Sequence, residues 1–317
     1  MKVGAILPCF RSSREAVWVV QECLKQVELV VCIDDLCPEQ TGAVIKKAYA
    51  DEPRVIVLIH AYNQGVGGAV KTGISYLLNT DIDVFVKVDS DGQMNPALIP
   101  KLVRPILEGA TQFSKGNRFR DIDILRQMPV IRLIGNAGLS FITKLSTGYW
   151  ELFDPTNGFL AMSRSIFDSI QIEKTDNRYF FETDLLFRCA LANTKIEEIP
   201  MQAIYRRERS SLNPFEEILR FARRHISVLF KRIVYQYFLL EINPGSFELL
   251  GGLMSGLIAL FIGLNSLCSG WRNGQETPAG TQTLFLALMI ISLQLILGFV
   301  YYDSAFRPLI REIKSRT

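Results

Sequence analysis

Two stretches without a charged residue constrain this chain more than any other feature. Leu249 to Cys268 is a run of twenty residues lacking Asp, Glu, Lys and Arg, and Thr281 to Tyr302 is a run of twenty-two. Roughly twenty apolar residues in a helix cross the hydrocarbon core of a bilayer. Core helices of this length normally carry a polar face, so two spanning helices are predicted, at about 249–268 and 281–302. They account for a mean hydropathy of +0.19 in a chain of which 21% is charged. Arg220, Arg223, Arg224, Lys231 and Arg232 precede the first run, and Arg307, Arg311, Lys314 and Arg316 follow the second. The connecting segment 269–280 carries only Arg272 and Glu276. The positive-inside rule then puts both termini in the cytosol. Two spans are too few for a transport path and read as an anchor, with a wall that could meet lipid.

Met1-Lys2 leads straight into the short run Val3–Leu7, without the pattern of a secretory leader, so the bulk of the chain is expected in the cytosol. The six cysteines, Cys9, Cys23, Cys32, Cys37, Cys189 and Cys268, form no CxxC pair, and His60 and His225 are the only histidines. Reduced thiols and no zinc site are the simpler expectation. The 35 basic residues are nearly balanced by 32 acidic ones, and nothing points to nucleic acid.

The first two hundred residues alternate short apolar runs, Val3–Leu7, Leu29–Ile33, Val55–Ile59 and Val84–Val88, with helical stretches near Arg14–Gln26, Gln40–Ala50 and Gly67–Leu78. That is the pattern of a doubly wound α/β fold with a mostly parallel sheet. Ligands of such sheets sit beyond the carboxyl ends of the strands, so the residues after each run are the ones to question. They are Pro8-Cys9-Phe10, Asp34-Asp35, Asn63 with Gly65, Gly67 and Gly68, and Asp89-Ser90-Asp91-Gly92-Gln93. The glycine segment fails both the Walker and the dinucleotide patterns at Val70. It is a tight turn into a helix whose N-terminal amides either face an anion or only pack helix on strand.

Asp89 and Asp91 carry the strongest signal. Two carboxylates one residue apart on an extended strand end point to the same side, and make a hard oxygen site for Mg²⁺ or Mn²⁺ that shares its remaining positions with water and phosphate. A haloacid-dehalogenase-type phosphatase also uses DxDG, but at the end of its first strand and with threonine where Gln93 stands.

In this order Pro8-Cys9-Phe10, Ile33-Asp34-Asp35, Asn63–Ala69, Asp89–Gln93, Gly116-Asn117-Arg118, Asp154–Phe159 and Arg206–Ser211 resemble the inverting family 2 glycosyltransferases with the GT-A fold. The likeness is to the membrane-bound polyprenyl-phosphate sugar transferases related to dolichyl-phosphate mannose synthase and the bactoprenol glucosyltransferases. It runs from residue 3 to about 240, and in plan to the membrane hairpin. Where the family has Asn-Glu after the opening aromatic residue, this chain has Arg11-Ser12. The resemblance implies donor binding by Pro8, Phe10, Asp34, Asp35, Asn63, Gly67, Lys71, Asp89 and Ser90. Asp89, Asp91 and Gln93 would surround Mg²⁺ or Mn²⁺ on the donor diphosphate. Arg118, Arg132, Arg206, Arg207 and Arg209, with Ser210, would hold the acceptor phosphate, since a guanidinium offers paired donors to phosphate oxygens.

Glu182 and Asp184 resemble the acidic motif that supplies the base when relatives use a hydroxyl acceptor; with Asp89 and Asp91 they complete the catalytic set. The processive-synthase signature Gln-x-x-Arg-Trp is missing. Beyond Asn213-Pro214, Phe215, Ile218, Leu219, Ala222, Ile226, Leu229, Ile233 and Tyr237 recur at helical steps, with basic residues on other faces. This predicts an amphipathic helix in the membrane interface, against the alternative of a helix packed on the α/β domain. The expected organisation is a cytosolic domain over 1–212, an amphipathic region over 213–245, a hairpin over 246–303 and a basic cytosolic tail over 304–317.

The function implied is inverting transfer of a sugar from a nucleoside-diphosphate-sugar, UDP- or GDP-linked, to undecaprenyl or dolichyl phosphate. It would occur at the cytosolic face of the cytoplasmic membrane, or of the endoplasmic reticulum in a eukaryote. The alternatives are a hydroxyl acceptor on a lipid or glycan, with Asp184 or Glu182 as base, and an inactive membrane scaffold. A homo-oligomer is left open.

Overall fold

The computed structural model describes residues 1–119, 130–201, 214–274 and 276–314. The chain divides into two compact units, Met1–Leu229 with the C-terminal residues from Arg311, and Phe230–Ile310. The first begins with β1 (Val3–Cys9), α1 (Ala16–Leu24), β2 (Leu29–Asp34), α2 (Thr41–Ala48), β3 (Val55–Ile59), α3 (Val66–Leu78) and β4 (Val84–Lys87). It continues through α4 (Ile99–Leu107), β5 (Phe113–Asn117), α5 (Val130–Thr147), β6 (Leu160–Ser163), α6 (Phe181–Leu191) and β7 (Ile196–Pro200).

The seven strands make one sheet in the order β3-β2-β1-β4-β6-β5-β7. All neighbours are parallel except β6, which runs against both β4 and β5. Successive side chains of a strand point to opposite faces, and both faces here are covered. Ala5, Leu7, Val30 and Val86 pack beneath α1 and α4 with Val19, Ile99 and Leu102. Ile6, Val31, Ile33 and Phe85 pack on the other face with Val70, Ile74 and Leu185 of α3 and α6. That two-sided burial is why the strands read as unbroken apolar runs. Strand order reverses between β1 and β4, which opens a crevice beyond their carboxyl ends.

The first unit runs into helix α7 (Pro214–Val234) as far as Leu229. The burial of this helix differs from the stripe expected of it. Ile226 is 67% exposed, whereas His225 and Val228 are buried. Val228 packs with Phe180, Phe187 and Phe221, and the Phe180 ring meets Phe221 and His225 edge-on. Ser146 Oγ lies 2.9 Å from His225 Nδ1, and Arg224 pairs with Asp176. One face of α7 therefore packs on the α/β unit, and the apolar residues that remain outside are offset from it.

In the second unit, α8 (Pro244–Asn273) starts from a capping box in which Asn243 Oδ1 accepts the Ser246 amide and Ser246 Oγ accepts the Asn243 amide. It thus begins ahead of the charge-free run. Helix α9 (Ala279–Lys314) continues well past its own run. Both are long and apolar enough to cross a membrane, and only 11% of each apolar window is buried, which separates them from core helices of a soluble domain. A Cβ on Gly252 would sit 2.9 Å from Ile296 Cγ1 and one on Gly256 2.7 Å from Ser292 Oγ, so these small residues let α8 and α9 approach closely. Asp303 is buried and receives both Arg232 Nη atoms, at 2.7 and 2.9 Å, and the Tyr237 hydroxyl at 2.7 Å. Arg307 Nη2 donates to the Gln236 carbonyl at 2.8 Å. These pairings keep the residues after Tyr302 helical.

Burial holds the His225 imidazole down at about 4, against about 6.5 for an exposed ring. Between those values the unfolded chain binds the proton that the folded chain refuses, so stability is full above about pH 6.5 and falls as the pH drops towards 4. Thermal unfolding of the solubilised chain should show that loss, and His225→Gln should flatten it.

Candidate active site

The crevice at the strand-order reversal is lined by Pro8, Phe10, Asp35, Asn63, Ser90 and Asp91 among others, and has a volume of about 530 Å³. Ser90 ties its two sides together. Its hydroxyl donates to the Pro8 carbonyl at 2.7 Å and sits 2.7 Å from Ser12 Oγ.

The two aspartates after β2 do different things. Asp34 is buried, and its oxygens accept the amides of Cys37 and Gly42, each at 2.6 Å. It holds the β2–α2 turn closed and does not line the crevice. Asp35 does line it, while its carboxylate accepts the amides of Gln64 and Gly65, each at 2.7 Å, and contacts His60 Nδ1 at 2.7 Å. The anion at the head of α3 is therefore the chain's own carboxylate. A further amide at this turn, that of Gly68, donates to the Asn177 carbonyl at 2.9 Å. Gly65 has φ +87°, and a Cβ on Gly67 would lie 2.3 Å from the Asp176 carbonyl oxygen. Of the two readings of the glycine segment, the geometry is that of close packing against residues 176–178. Lys71 follows the same logic, with Nζ donating to the Thr175 carbonyl at 3.0 Å. Burial lowers its pKa, and it lies outside the crevice lining.

Asp89, Asp91 and Gln93 line an adjoining cavity of about 270 Å³ with Arg118, Tyr179 and Glu182. Asp91 Oδ1 accepts the Gln93 amide at 2.9 Å. Below Asp89 lies Lys87, only 1% exposed, with Nζ 2.8 Å from Asp89 Oδ1, 3.2 Å from Glu182 Oε1 and 3.2 Å from the Gly158 carbonyl. Burial alone would lower the pKa of this ammonium, but the two carboxylates outweigh it and the net shift is upward. Glu182 thus faces the cavity, while Asp184, on the same turn of α6, accepts the Asp176 amide at 2.9 Å and holds the preceding loop. Sequence reasoning missed Lys87. A single charge inside the apolar run Val84–Val88, two residues ahead of Asp89, was the available signal.

Arg118 reaches the cavity from the end of β5. Its Nε and Nη2 donate to the two oxygens of Asp154 at 2.8 and 2.9 Å, and its side chain stays 31% exposed. Asp154 is fully buried and also takes the Asn157 side-chain amide at 3.1 Å. Burial would raise its pKa, yet Arg118 brings it below the ordinary carboxylate value. Glu198 Oε1 accepts the amides of Phe153 and Asp154, at 2.9 and 2.8 Å. Burial draws the neighbouring Lys115 down to about 8 against the pull of Asp154 and Glu198, and its Nζ donates to the Pro155 carbonyl at 2.6 Å. The motif Asp154–Phe159 is thus the scaffold that fixes one guanidinium. Of the other expected cations, the side chain of Arg132 lies outside the described residues, as do Arg206, Arg207, Arg209 and Ser210.

A mostly parallel sheet with a carboxylate pair beyond its switch point places the chain among the α/β proteins that bind ligands past the strand ends, and comparison with known proteins narrows it. The family model Glycosyl transferase family 2 matches residues 5–171. A UDP-N-acetylglucosamine–dolichyl-phosphate N-acetylglucosaminyltransferase of Methanococcus voltae is 33% identical over 152 residues, 48% of this chain. The match spans 60% of that protein, less than two thirds of its length. A polyprenol monophosphomannose synthase of Mycolicibacterium smegmatis is 28% identical over 184 residues, 57% of this chain and 68% of that one. Among solved structures, glucosyl-3-phosphoglycerate synthase of Mycobacterium tuberculosis, crystallised with Mn²⁺, uridine diphosphate and glucosyl-3-phosphoglycerate, superposes with a TM-score of 0.52. It is 19% identical, covers 73% of this chain and 79% of that one, and shares the GT-A fold. This chain belongs to glycosyl transferase family 2. It is a glycosyltransferase.

Gly67→Ala places a methyl group on the Asp176 carbonyl and should cost about 1–3 kcal/mol, the usual effect of overpacking. Gly135→Ala, in α5 with nothing within 4 Å of its Cβ, should be neutral or mildly stabilising. Thermal unfolding of the two variants checks the pair.

Proposed function

We propose that this glycosyltransferase moves a sugar, with inversion, from a nucleoside-diphosphate-sugar to a polyprenyl phosphate at the cytosolic membrane face. The observation that carries the reading is Arg118, fixed by Asp154 on the wall of the cavity that also holds Asp89 and Asp91, in a chain with two membrane-length helices. The names of the two relatives support it, since both transfer sugars to lipid-linked phosphates.

The donor set fits a divalent cation. Asp89 and Asp91 offer hard oxygens at a strand end, and the Asp89 side chain is 31% exposed. Two carboxylates would leave the remaining positions of Mg²⁺ or Mn²⁺ to water and phosphate oxygens. Such an ion, when bound, stabilises the negative charge that develops on the leaving diphosphate. Asp35 and Ser90, on opposite sides of the crevice, would bound the donor. Arg118 would orient the acceptor phosphate with its planar donors. That phosphate is ionised before it attacks, so no strong base is required, and Glu182 can remain paired with Lys87.

One observation favours the hydroxyl-acceptor reading: Glu182 lines the cavity, whereas Asp184 does not. Glu182 would then be the base.

Assay of the purified chain with labelled nucleotide sugars and undecaprenyl or dolichyl phosphate, followed by extraction of the lipid product, tests the proposal. Asp91→Asn should abolish transfer without lowering the unfolding temperature. Arg118→Lys keeps a charge beside Asp154 but loses the bidentate geometry; it should raise the acceptor KM strongly and leave the donor KM nearly unchanged. A hydroxyl acceptor would reverse the ranking, with Glu182→Gln costing about 10²–10⁴ in rate and Arg118→Lys mattering little.

A further inference from the structure

The cation buried beneath the carboxylate pair has a consequence for how the site takes its metal. Lys87 points out of a strand whose other side chains are apolar, is buried to 1% exposure, and touches Asp89, Glu182 and the Gly158 carbonyl. An ammonium removed from water is retained only where carboxylates compensate it. The room for it is made by Gly158, since a Cβ there would lie 2.5 Å from Lys87 Nζ and 3.1 Å from Asp89 Oδ2. Among the described residues that line the cavity, Asp89, Asp91 and Glu182 bear three formal negative charges, and Lys87 leaves these four residues with minus two. Among the same described residues the other cation, Arg118, is paired with Asp154.

We propose that Lys87 is a positioning residue that matches this cavity to a single divalent cation. It would fix Glu182 beside Asp89 and hold the affinity for the free ion down, so that the metal binds firmly only together with the donor diphosphate. The inference rests on the metal reading above. It adds to that reading a lysine whose charge opposes the ion while its hydrogen bonds shape the site. A purely structural lysine and a charge-matching one make opposite predictions for the free metal. Losing a structural lysine would let Asp89 move and would weaken binding. Losing a charge-matching one removes a repulsion between two like charges a few ångströms apart and strengthens it.

The test is Mn²⁺ binding to the full-length chain in detergent without nucleotide, followed by the electron paramagnetic resonance signal of the free ion, with Asp91→Asn as the control. Lys87→Met should bind Mn²⁺ about tenfold more tightly than wild type, and Glu182→Gln about tenfold more weakly, as expected for a unit charge at this range in a partly solvated site. Lys87→Arg should stay within about threefold of wild type, because the charge is kept. The Lys87→Met/Glu182→Gln pair restores minus two and should also return to within about threefold of wild type. That variant removes one partner of each sign, so it carries the test where Lys87→Met alone does not fold. Weaker or unchanged binding in Lys87→Met, or tenfold loss in the pair, overturns the role of Lys87 and leaves the metal site standing. Equal binding by wild type and Asp91→Asn overturns the metal reading itself, and the inference with it.

Discussion

The end of the sheet that opens on the crevice is organised around one buried ammonium. Lys87 Nζ touches Asp89 on its own strand end, Glu182 on α6 and the carbonyl of Gly158 ahead of β6. Three segments far apart in sequence are thereby held around one point. A charge taken out of water costs several kcal/mol unless its partners are well placed. The loop bearing Gly158, the start of α6 and the end of β4 therefore depend on one another.

A similar device recurs at the end of β5. Asp154 is buried because Arg118 and Asn157 satisfy it, and Glu198 clamps the backbone that carries it. In the second unit Asp303 is buried between Arg232 and Tyr237. In each case a carboxylate inside the protein sets the direction of a guanidinium. At Arg118 that guanidinium also faces a cavity, and there the structural pair becomes a candidate for binding phosphate.

The glycine segment shows why a motif and its role separate. Gly65, Gly67 and Gly68 lack the Cβ that a phosphate loop must avoid, but a turn that accepts a close backbone needs its absence equally. Which use is made depends on residues distant in sequence: the Asn177 carbonyl, more than a hundred positions later, takes the Gly68 amide, and Asp35, 30 positions earlier, takes that of Gly65. Asp34 and Asp35, adjacent in sequence, each accept two backbone amides, Asp34 those of Cys37 and Gly42 and Asp35 those of Gln64 and Gly65, but only Asp35 also lines the crevice.

By themselves the residues determined the α/β alternation, the crevice beyond β1, β2 and β4, and the membrane-length helices, because each depends on local periodicity or on the length of an uncharged run. Asp89 and Asp91 were legible as carboxylates just beyond an apolar run, although β4 ends at Lys87 and Asp91 stands in a turn rather than on an extended strand end. The antiparallel insertion of β6, the burial of Lys87 and Lys115, the pairing of Arg118 with Asp154 and the packing of His225 against Phe180 were not. Each joins residues dozens of positions apart, and charge pairing in a low-dielectric interior is decided by which side chains meet there, a quantity that no spacing along the chain contains. Tertiary structure alone therefore decided which of the charged residues face the cavity and which hold its walls.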